Sequence, residues 1–149
     1  MSIISAVREY VASCPFIQAF SGGQYVDYTD PVPGNFGILV SGEVELSRDF
    51  AGNAVNQYNF ALYARGFTLE DADRVENAGF LENFSRWLWE NDREGIYPDL
   101  GGGVEVESIS CTNGLLFEFD ESQETGLYQI QCQMIYERKA YHESETEKL

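Results

Sequence analysis

Hydrophobic and polar residues alternate with helical or strand periodicity along most of the chain, and this pattern predicts the order of the elements. Near the amino terminus, apolar residues recur on one side of a helix over residues 2–14, which ends where a proline restricts the preceding residue. A second helical pattern runs over residues 69–94, with acidic residues in its first turn, where the helix dipole favours negative charge. A break or kink at residues 77–79 is expected to divide this second segment into two consecutive helical pieces.

A two-residue alternation predicts a hairpin in the first half of the chain. Val44 and Leu46 alternate with polar residues, so we expect both side chains on the buried face of a strand. A turn at residues 52–53 leads into a longer strand over residues 57–64, in which the even-numbered positions are apolar or aromatic. The segment before the hairpin, residues 22–42, is rich in glycine and proline and predicts an irregular, partly extended arm.

The last third of the chain predicts further strands over residues 104–111, 115–119 and 127–136, with turns at 113–114 and 120–124. In the last of these strands, tyrosine, isoleucine, cysteine and methionine share one face, and glutamines share the other. The whole pattern predicts an α+β fold. We expect a mostly antiparallel or mixed sheet, with the N-terminal helix and the central helical pair packed on one face of it.

We expect a single domain. The chain has 149 residues, of which 44% are hydrophobic and 14% aromatic, which is enough to form one core. We find no internal repeat and no linker that divides the chain. Residues 1–141 are therefore predicted to form one domain, and residues 142–149 are predicted to form a charged, disordered tail.

The composition is strongly acidic, which argues against some classes of function. Aspartate and glutamate number 25 against 9 lysines and arginines, for a formal net charge of -16. Proteins that hold nucleic acid non-specifically neutralise its phosphates with basic side chains, and lysine occurs here only at Lys139 and Lys148. Binding to DNA or to an anionic membrane is therefore disfavoured. No uncharged apolar run approaches the ~18 residues that cross a bilayer, and the amino terminus lacks the basic region of a signal peptide.

The residue types that carry common enzyme chemistry are scarce. The single histidine, His142, falls in the predicted tail, so a serine or cysteine nucleophile has no base on a rigid scaffold. The cysteines Cys14, Cys111 and Cys132 lack CxxC spacing and are predicted to be reduced, buried thiols. Together with one histidine, they do not supply a structural zinc site. We expect no catalytic residues, no cofactor and no metal.

Pairs of carboxylates at strand spacing are the remaining candidates for a site. The pairs are Glu43 with Glu45, Glu105 with Glu107, and Glu118 with Asp120. Two oxygen ligands on one face are typical of magnesium or calcium sites, but alternation places acids on a solvent-facing sheet surface in any case. A row of exposed acids is therefore the main interpretation, and a metal-dependent enzyme that uses Glu105 and Glu107 ranks last.

Several short strings resemble those of a known family. They are Cys14-Pro15-Phe16, Glu76-Asn77-Ala78-Gly79-Phe80 with Phe84 and Trp87-Leu88, Thr112-Asn113-Gly114 with Leu116-Phe117, and Tyr128-Gln129-Ile130-Gln131-Cys132 leading to Tyr136. Together with the order of elements between Ile3 and Tyr136, they resemble small phage and prophage proteins of the head–tail joining genes, known as minor capsid or tail terminator proteins. None of the strings is a catalytic signature.

The resemblance implies a structural virion subunit and not an enzyme. Such subunits cap the finished tail tube as a ring, typically a hexamer, and present a surface to the head connector. The implied partners are other copies of the chain, the tail tube protein and the head connector proteins. DNA passes through the ring without being bound. The implied location is the virion, with the host cytoplasm during assembly.

Acidic residues in segment 99–124 are the candidates for the lining of this channel. The segment contains no lysine or arginine, and a negatively charged wall repels DNA phosphates. The residues are Asp99, Glu105, Glu107, Glu118 and Asp120. The alternative function is an acidic DNA mimic, or another regulatory binding protein, that inhibits a host nucleic-acid enzyme. The net charge agrees with this alternative, whereas the family strings do not.

Overall fold

Helices cover one face of a mixed β-sheet. The structure, a computed structural model, describes residues 2–16, 24–26, 36–67, 71–112, 115–119 and 125–140. Its helices are α1 (Ile3–Ala12) and α2 (Asp71–Glu94). Its strands are β1 (Gln24–Val26), β2 (Phe36–Arg48), β3 (Ala54–Phe67), β4 (Val104–Cys111), β5 (Leu115–Phe119) and β6 (Thr125–Arg138).

The sheet is antiparallel except at one edge. Its strand order is β1-β2-β3-β6-β4, and β5 also pairs with β6. β1 is parallel to β2, and the other pairs are antiparallel. The predicted α+β class and the mixed, mostly antiparallel sheet are confirmed. Strands β2 and β3 form the predicted hairpin.

The core lies between the two helices and one face of the sheet. The even-numbered side chains of residues 58–64 in β3 and 128–136 in β6 are buried on this face. Val7 and Val11 of α1 and Phe84 of α2 are fully buried against them. The predicted packing of the helices on one face and the predicted buried sides of these two strands are therefore confirmed.

α2 is one continuous helix, so the predicted break at residues 77–79 is wrong. Gly79 lies inside the helix, where a glycine costs roughly 1 kcal/mol relative to alanine. Further along the helix, Leu81, Phe84 and Leu88 are buried, and each such side chain gains about 1.5–3 kcal/mol from burial. This packing outweighs the local preference of the glycine, and the helix continues through it.

Two register shifts in β2 leave Val44 and Leu46 exposed, contrary to the prediction. The pairing with β3 slips by one residue between Val40 and Gly42, and Gly42 has a φ of 134°, which favours glycine. Because side chains alternate with a period of two, a slip of one residue moves the following side chains to the opposite face. Val44 is consequently 53% exposed. Leu46 lies at a second shift, between Glu45 and Ser47, and is 49% exposed, so the prediction that both are buried is wrong.

β4 and β5 follow one another along the same edge of β6. Both are antiparallel to β6, so they run in the same direction and do not pair with each other as a hairpin. The predicted turns at 113–114 and 120–124 lie outside the described residues, as do the predicted tail at 142–149 and much of the predicted arm at 22–42. Within that arm, the structure describes β1 and the first part of β2.

Candidate functional site: the acidic edge of the sheet

Three of the residues predicted to line a channel are exposed in or just before the edge strand β4. Glu105 and Glu107 are exposed on β4, and Asp99 is exposed in the loop that precedes it. Glu118 is placed by its backbone in β5, on the same edge of β6, whereas its side chain and the whole of Asp120 lie outside the described residues. The fold thus brings Glu105, Glu107 and the backbone of Glu118 to one edge of the sheet.

A bulge separates Glu105 from Glu107. Val106 is opposite Tyr136 of β6, and the next paired residue of β4 is Ser108, so Glu107 is the extra residue. Charged side chains and bulges on an edge strand prevent its unpaired backbone groups from joining another sheet. These features of β4 oppose the pairing of its free edge with another sheet.

Like charges meet at the start of β4. Glu105 lies directly opposite Glu137 of β6, an arrangement that destabilises a strand pair when it is unrelieved. Lys139 forms an ion pair with Glu137. That contact, with further contributions from Glu105 and Asp49, raises the pKa of the Lys139 ammonium group. Lys139 thus offsets part of the negative charge at this corner of the sheet.

The carboxylates of β2 are engaged in local contacts. Past the first register shift, Glu43 is opposite Tyr58 on the helix-covered side of the sheet, and its carboxylate accepts a hydrogen bond from the Tyr136 hydroxyl. Glu45 forms an ion pair with Arg48 at 2.5 Å. Across the described ranges, no group of three or more potential ligand residues is arranged to hold a metal ion. Glu43 and Glu45 are therefore structural residues in this fold.

The Tyr10 hydroxyl of α1 forms hydrogen bonds to the end of α2 and to the segment that leads from α2 to β4. Tyr10 donates a hydrogen bond to the Ile96 carbonyl oxygen at 2.9 Å and accepts one from the Asn91 side-chain amide at 3.1 Å. Its ring also packs against Trp87, with 5.1 Å between the ring centroids. These contacts fix the end of α2, and hence the start of the loop that contains Asp99.

Asp92 connects the end of α2 to the middle of β4. Its carboxylate accepts hydrogen bonds from the Tyr97 hydroxyl at 2.9 Å and from the Ile109 amide at 3.0 Å. The Tyr97 hydroxyl also lies 3.1 Å from the carbonyl oxygen of Glu107. The backbone that carries the acidic edge is therefore held in place from inside the fold, although its side chains point into solvent.

The two tyrosines predict a loss of stability at alkaline pH. Burial raises the pKa of Tyr10 to about 12, and burial together with Asp92 raises the pKa of Tyr97 to about 12. Unfolded tyrosine ionises near pH 10, so their stabilising contribution is complete below that pH and is lost as the pH rises towards 12. We expect the free energy of unfolding, measured with urea, to fall between about pH 10 and pH 12. Tyr10→Phe should reduce the fall, and an identical slope in the variant would contradict the assignment.

The uncovered face of the sheet is polar and uncharged at its centre, whereas Glu105 and Glu137 lie on the same face at the start of β4. Asn59, Gln133 and Ser110 lie side by side across β3, β6 and β4, and they line a shallow groove. Leu39, Val44 and Leu46 of β2 are exposed. The sequence pattern did not reveal this surface because the register shifts in β2 decide on which side Val44 and Leu46 lie.

Aromatic residues of α2 divide between the core and the surface. Phe84 and Trp87 pack together in the core, as their spacing predicts, with 5.8 Å between the ring centroids. Trp89, predicted as the contact residue of this group, is 59% exposed, and the Arg93 guanidinium lies 4.9 Å from its ring centroid. None of the helices in the described parts of the chain is long and apolar enough to cross a membrane.

Comparison with known proteins identifies the fold through structure alone. No family model matches the chain, and no curated protein matches it. Among solved structures, the chain is similar to a protein chain in the virion of a native gene transfer agent particle, with a TM-score of 0.55 and 12% sequence identity. The match covers 91% of this chain and 95% of that chain. The two chains therefore share a fold over nearly their whole lengths.

Proposed function

We propose that this protein is a structural subunit of a phage-type virion particle. The observation that carries the proposal is the shared fold with a chain of a gene transfer agent virion, which extends over 91% of this chain. A likeness of that extent covers most of the chain and is not limited to a common hairpin. Sequence strings that resemble those of head–tail joining proteins support the same class.

Within that class, we propose the role of a tail terminator. In this role, copies of the chain form a ring, most simply a hexamer, that caps the finished tail tube and meets the head connector. The proposed partners are other copies of the chain, the tail tube protein and head connector proteins. The protein then resides in the virion, after assembly in the host cytoplasm.

The uncovered sheet face supplies a surface on which copies of such an acidic chain can meet. Each copy has a formal net charge of -16, so contact between acidic surfaces is opposed by repulsion. The part of the uncovered face formed by β2 and β3, away from Glu105 and Glu137, instead offers exposed Leu39 and Val44 beside amide and hydroxyl side chains. Exposed apolar side chains grouped in this way are typical of protein interfaces. We place the contact between subunits on this face.

The acidic edge of β4 is then free to face the channel. Glu105 and Glu107 repel phosphates, so DNA passes without binding to the wall. A non-enzymatic role fits the other carboxylates of the sheet, because Glu43, Glu45 and Glu137 are engaged with Tyr136, Arg48 and Lys139. The proposed lining is Asp99, Glu105 and Glu107, together with Glu118 and Asp120 from the sequence.

Measuring the mass of the protein in solution at increasing salt concentrations tests whether its copies assemble into a ring. Light scattering should show species several times heavier than the 16.8 kDa chain, and the heavier species should gain population as salt screens the repulsion between subunits. Val44→Asp should shift the protein towards the monomer, because it buries a charge in the contact. Ser5→Asp, which adds the same charge on exposed α1, is the matched control. A monomer at every salt concentration, or equal effects of the two variants, would contradict the proposed ring.

A further inference from the structure

Two of the cysteines lie directly opposite each other in the sheet. Cys111 of β4 is the register partner of Cys132 of β6, and both thiols are free. The Thr112 amide donates a hydrogen bond to the Gln131 carbonyl oxygen at 2.9 Å, which makes the next pair along the ladder a hydrogen-bonded pair. Since the two kinds of pair alternate in an antiparallel ladder, the cysteines occupy a non-hydrogen-bonded pair.

That kind of pair has dimensions that a disulfide can span. The Cα atoms of a non-hydrogen-bonded pair are ~4.5 Å apart and their side chains are at their closest, whereas a disulfide needs Cα atoms roughly 4.4–6.8 Å apart. Cys132 points to the core side of the sheet, and register partners share a face. The two sulfur atoms are therefore neighbours on the same side of β4 and β6.

We propose that Cys111 and Cys132 are the site of a cross-strand disulfide, which forms when the folded protein meets a low-molecular-weight disulfide oxidant. The Cys111 thiolate attacks one sulfur of the oxidant, the oxidant's S–S bond breaks, and one thiol leaves. Cys132 then gives up its proton and attacks the Cys111 sulfur, which releases the second thiol. The protein loses two hydrogen atoms, and the oxidant is reduced to two thiols.

The order of attack follows from burial. Cys111 is half-buried and its side chain is hydrogen-bonded to Ser85 of α2, whereas Cys132 is fully enclosed by the core. Burial raises the pKa of both thiols, so few thiolates exist near neutral pH. The reaction is therefore slow at neutral pH and faster in mild alkali, and the more accessible Cys111 reacts with the oxidant first.

The bond ties the edge strand β4 to the centre of the sheet. It closes a loop of about 20 residues that contains β5, a length for which cross-linking stabilises the folded state appreciably. A subunit made in a reducing cytoplasm would acquire the bond after release of the particle into oxidising surroundings. That timing rests on the proposed function, whereas formation of the bond does not.

The test is incubation of the folded protein with oxidised glutathione, followed by denaturation, alkylation of free thiols and mass spectrometry. We expect one alkylated cysteine, Cys14, and a digest peptide pair joined through Cys111 and Cys132. The oxidised protein should melt on the order of 10 °C higher than the reduced protein, and dithiothreitol should reverse the shift. Cys14→Ser should form the same bond at the same rate, whereas Cys111→Ser should not form it.

Several outcomes would overturn the proposal. These are alkylation of all three cysteines after prolonged incubation at pH 8.5, a bond that includes Cys14, or a stable glutathione adduct on Cys111 that Cys132 does not displace. Circular dichroism of each variant establishes that it is folded before the reaction. The readout is covalent and made on the single chain, so its failure leaves the light-scattering test of the ring unaffected.

Discussion

Replacing Phe84 by alanine should lower the free energy of unfolding by about 3–5 kcal/mol. The Phe84 side chain is fully buried where α2 meets the sheet, and its ring packs on Trp87. Truncation removes most of the side chain and leaves a cavity that a helix held against a sheet cannot close. Urea denaturation followed by fluorescence and circular dichroism measures the change.

Trp89 provides the control on the same helix. It is 59% exposed, and its main described contact is with Arg93, so Trp89→Ala should cost less than about 1 kcal/mol. A cost below about 0.5 kcal/mol for Phe84→Ala, or similar costs for the two variants, would mean that α2 does not present this side to the sheet.

If Glu105 and Glu107 line the proposed channel, reversing both charges should make the channel wall bind DNA instead of repelling it. Glu105→Lys with Glu107→Lys replaces two negative charges by two positive charges on each subunit of the ring. The fold should survive, because both side chains are exposed and a lysine at position 105 would face Glu137 across the strand pair. We expect the assembled variant to bind duplex DNA in a salt-dependent way and DNA passage to be slowed or blocked.

A control variant distinguishes the effect of the position of the new charges from the effect of the change in net charge. Glu9→Lys with Glu90→Lys makes the same change on exposed residues of α1 and α2, and should leave DNA passage unchanged. Filter binding to duplex DNA at several salt concentrations and titres of infectious particles are the measurements. Normal titres with the β4 variant would contradict the assignment of Glu105 and Glu107 to the channel.

The pattern of apolar residues predicts this fold correctly where the buried residues recur with the regular period of a strand or a helix. The even-numbered positions within residues 58–64 of β3 and 128–136 of β6 are apolar or aromatic and are buried, because each of these strands has neighbours on both sides and one face covered by helices. Phe84 and Leu88 follow the helical period and are buried against that face. The class of the fold and the side of the sheet that the helices cover follow from these residues.

The same pattern does not predict the pairing register of β2 with β3, or the continuity of α2 through Gly79. The two shifts in β2 depend on how it pairs with β3, and their effect on Val44 and Leu46 cannot be recognised from alternation within β2 alone. Gly79 has the local preference of a helix breaker, and the burial of Leu81, Phe84 and Leu88 further along the helix overrides it.

In the candidate site, too, the sequence predicts features of a single strand but not features that depend on how strands pair. The exposure of Glu105 and Glu107 follows from alternation in β4, but the bulge at Glu107 depends on pairing with β6. The partnership of Cys111 with Cys132 likewise depends on register, because their separation along the chain does not determine that they are opposite each other. Sequence spacing finds a site on one element more readily than a site built across two strands.

Electron microscopy of particles made with and without this chain tests its role in the virion most directly. If it caps the tail tube and joins it to the head, particles made without it should separate into heads and tails, with tails of uneven length because elongation has no terminator. Supplying the chain in trans should restore joined particles, and antibody labelling should mark the junction of head and tail. Uniform, joined and infectious particles that lack the chain would contradict the proposed function.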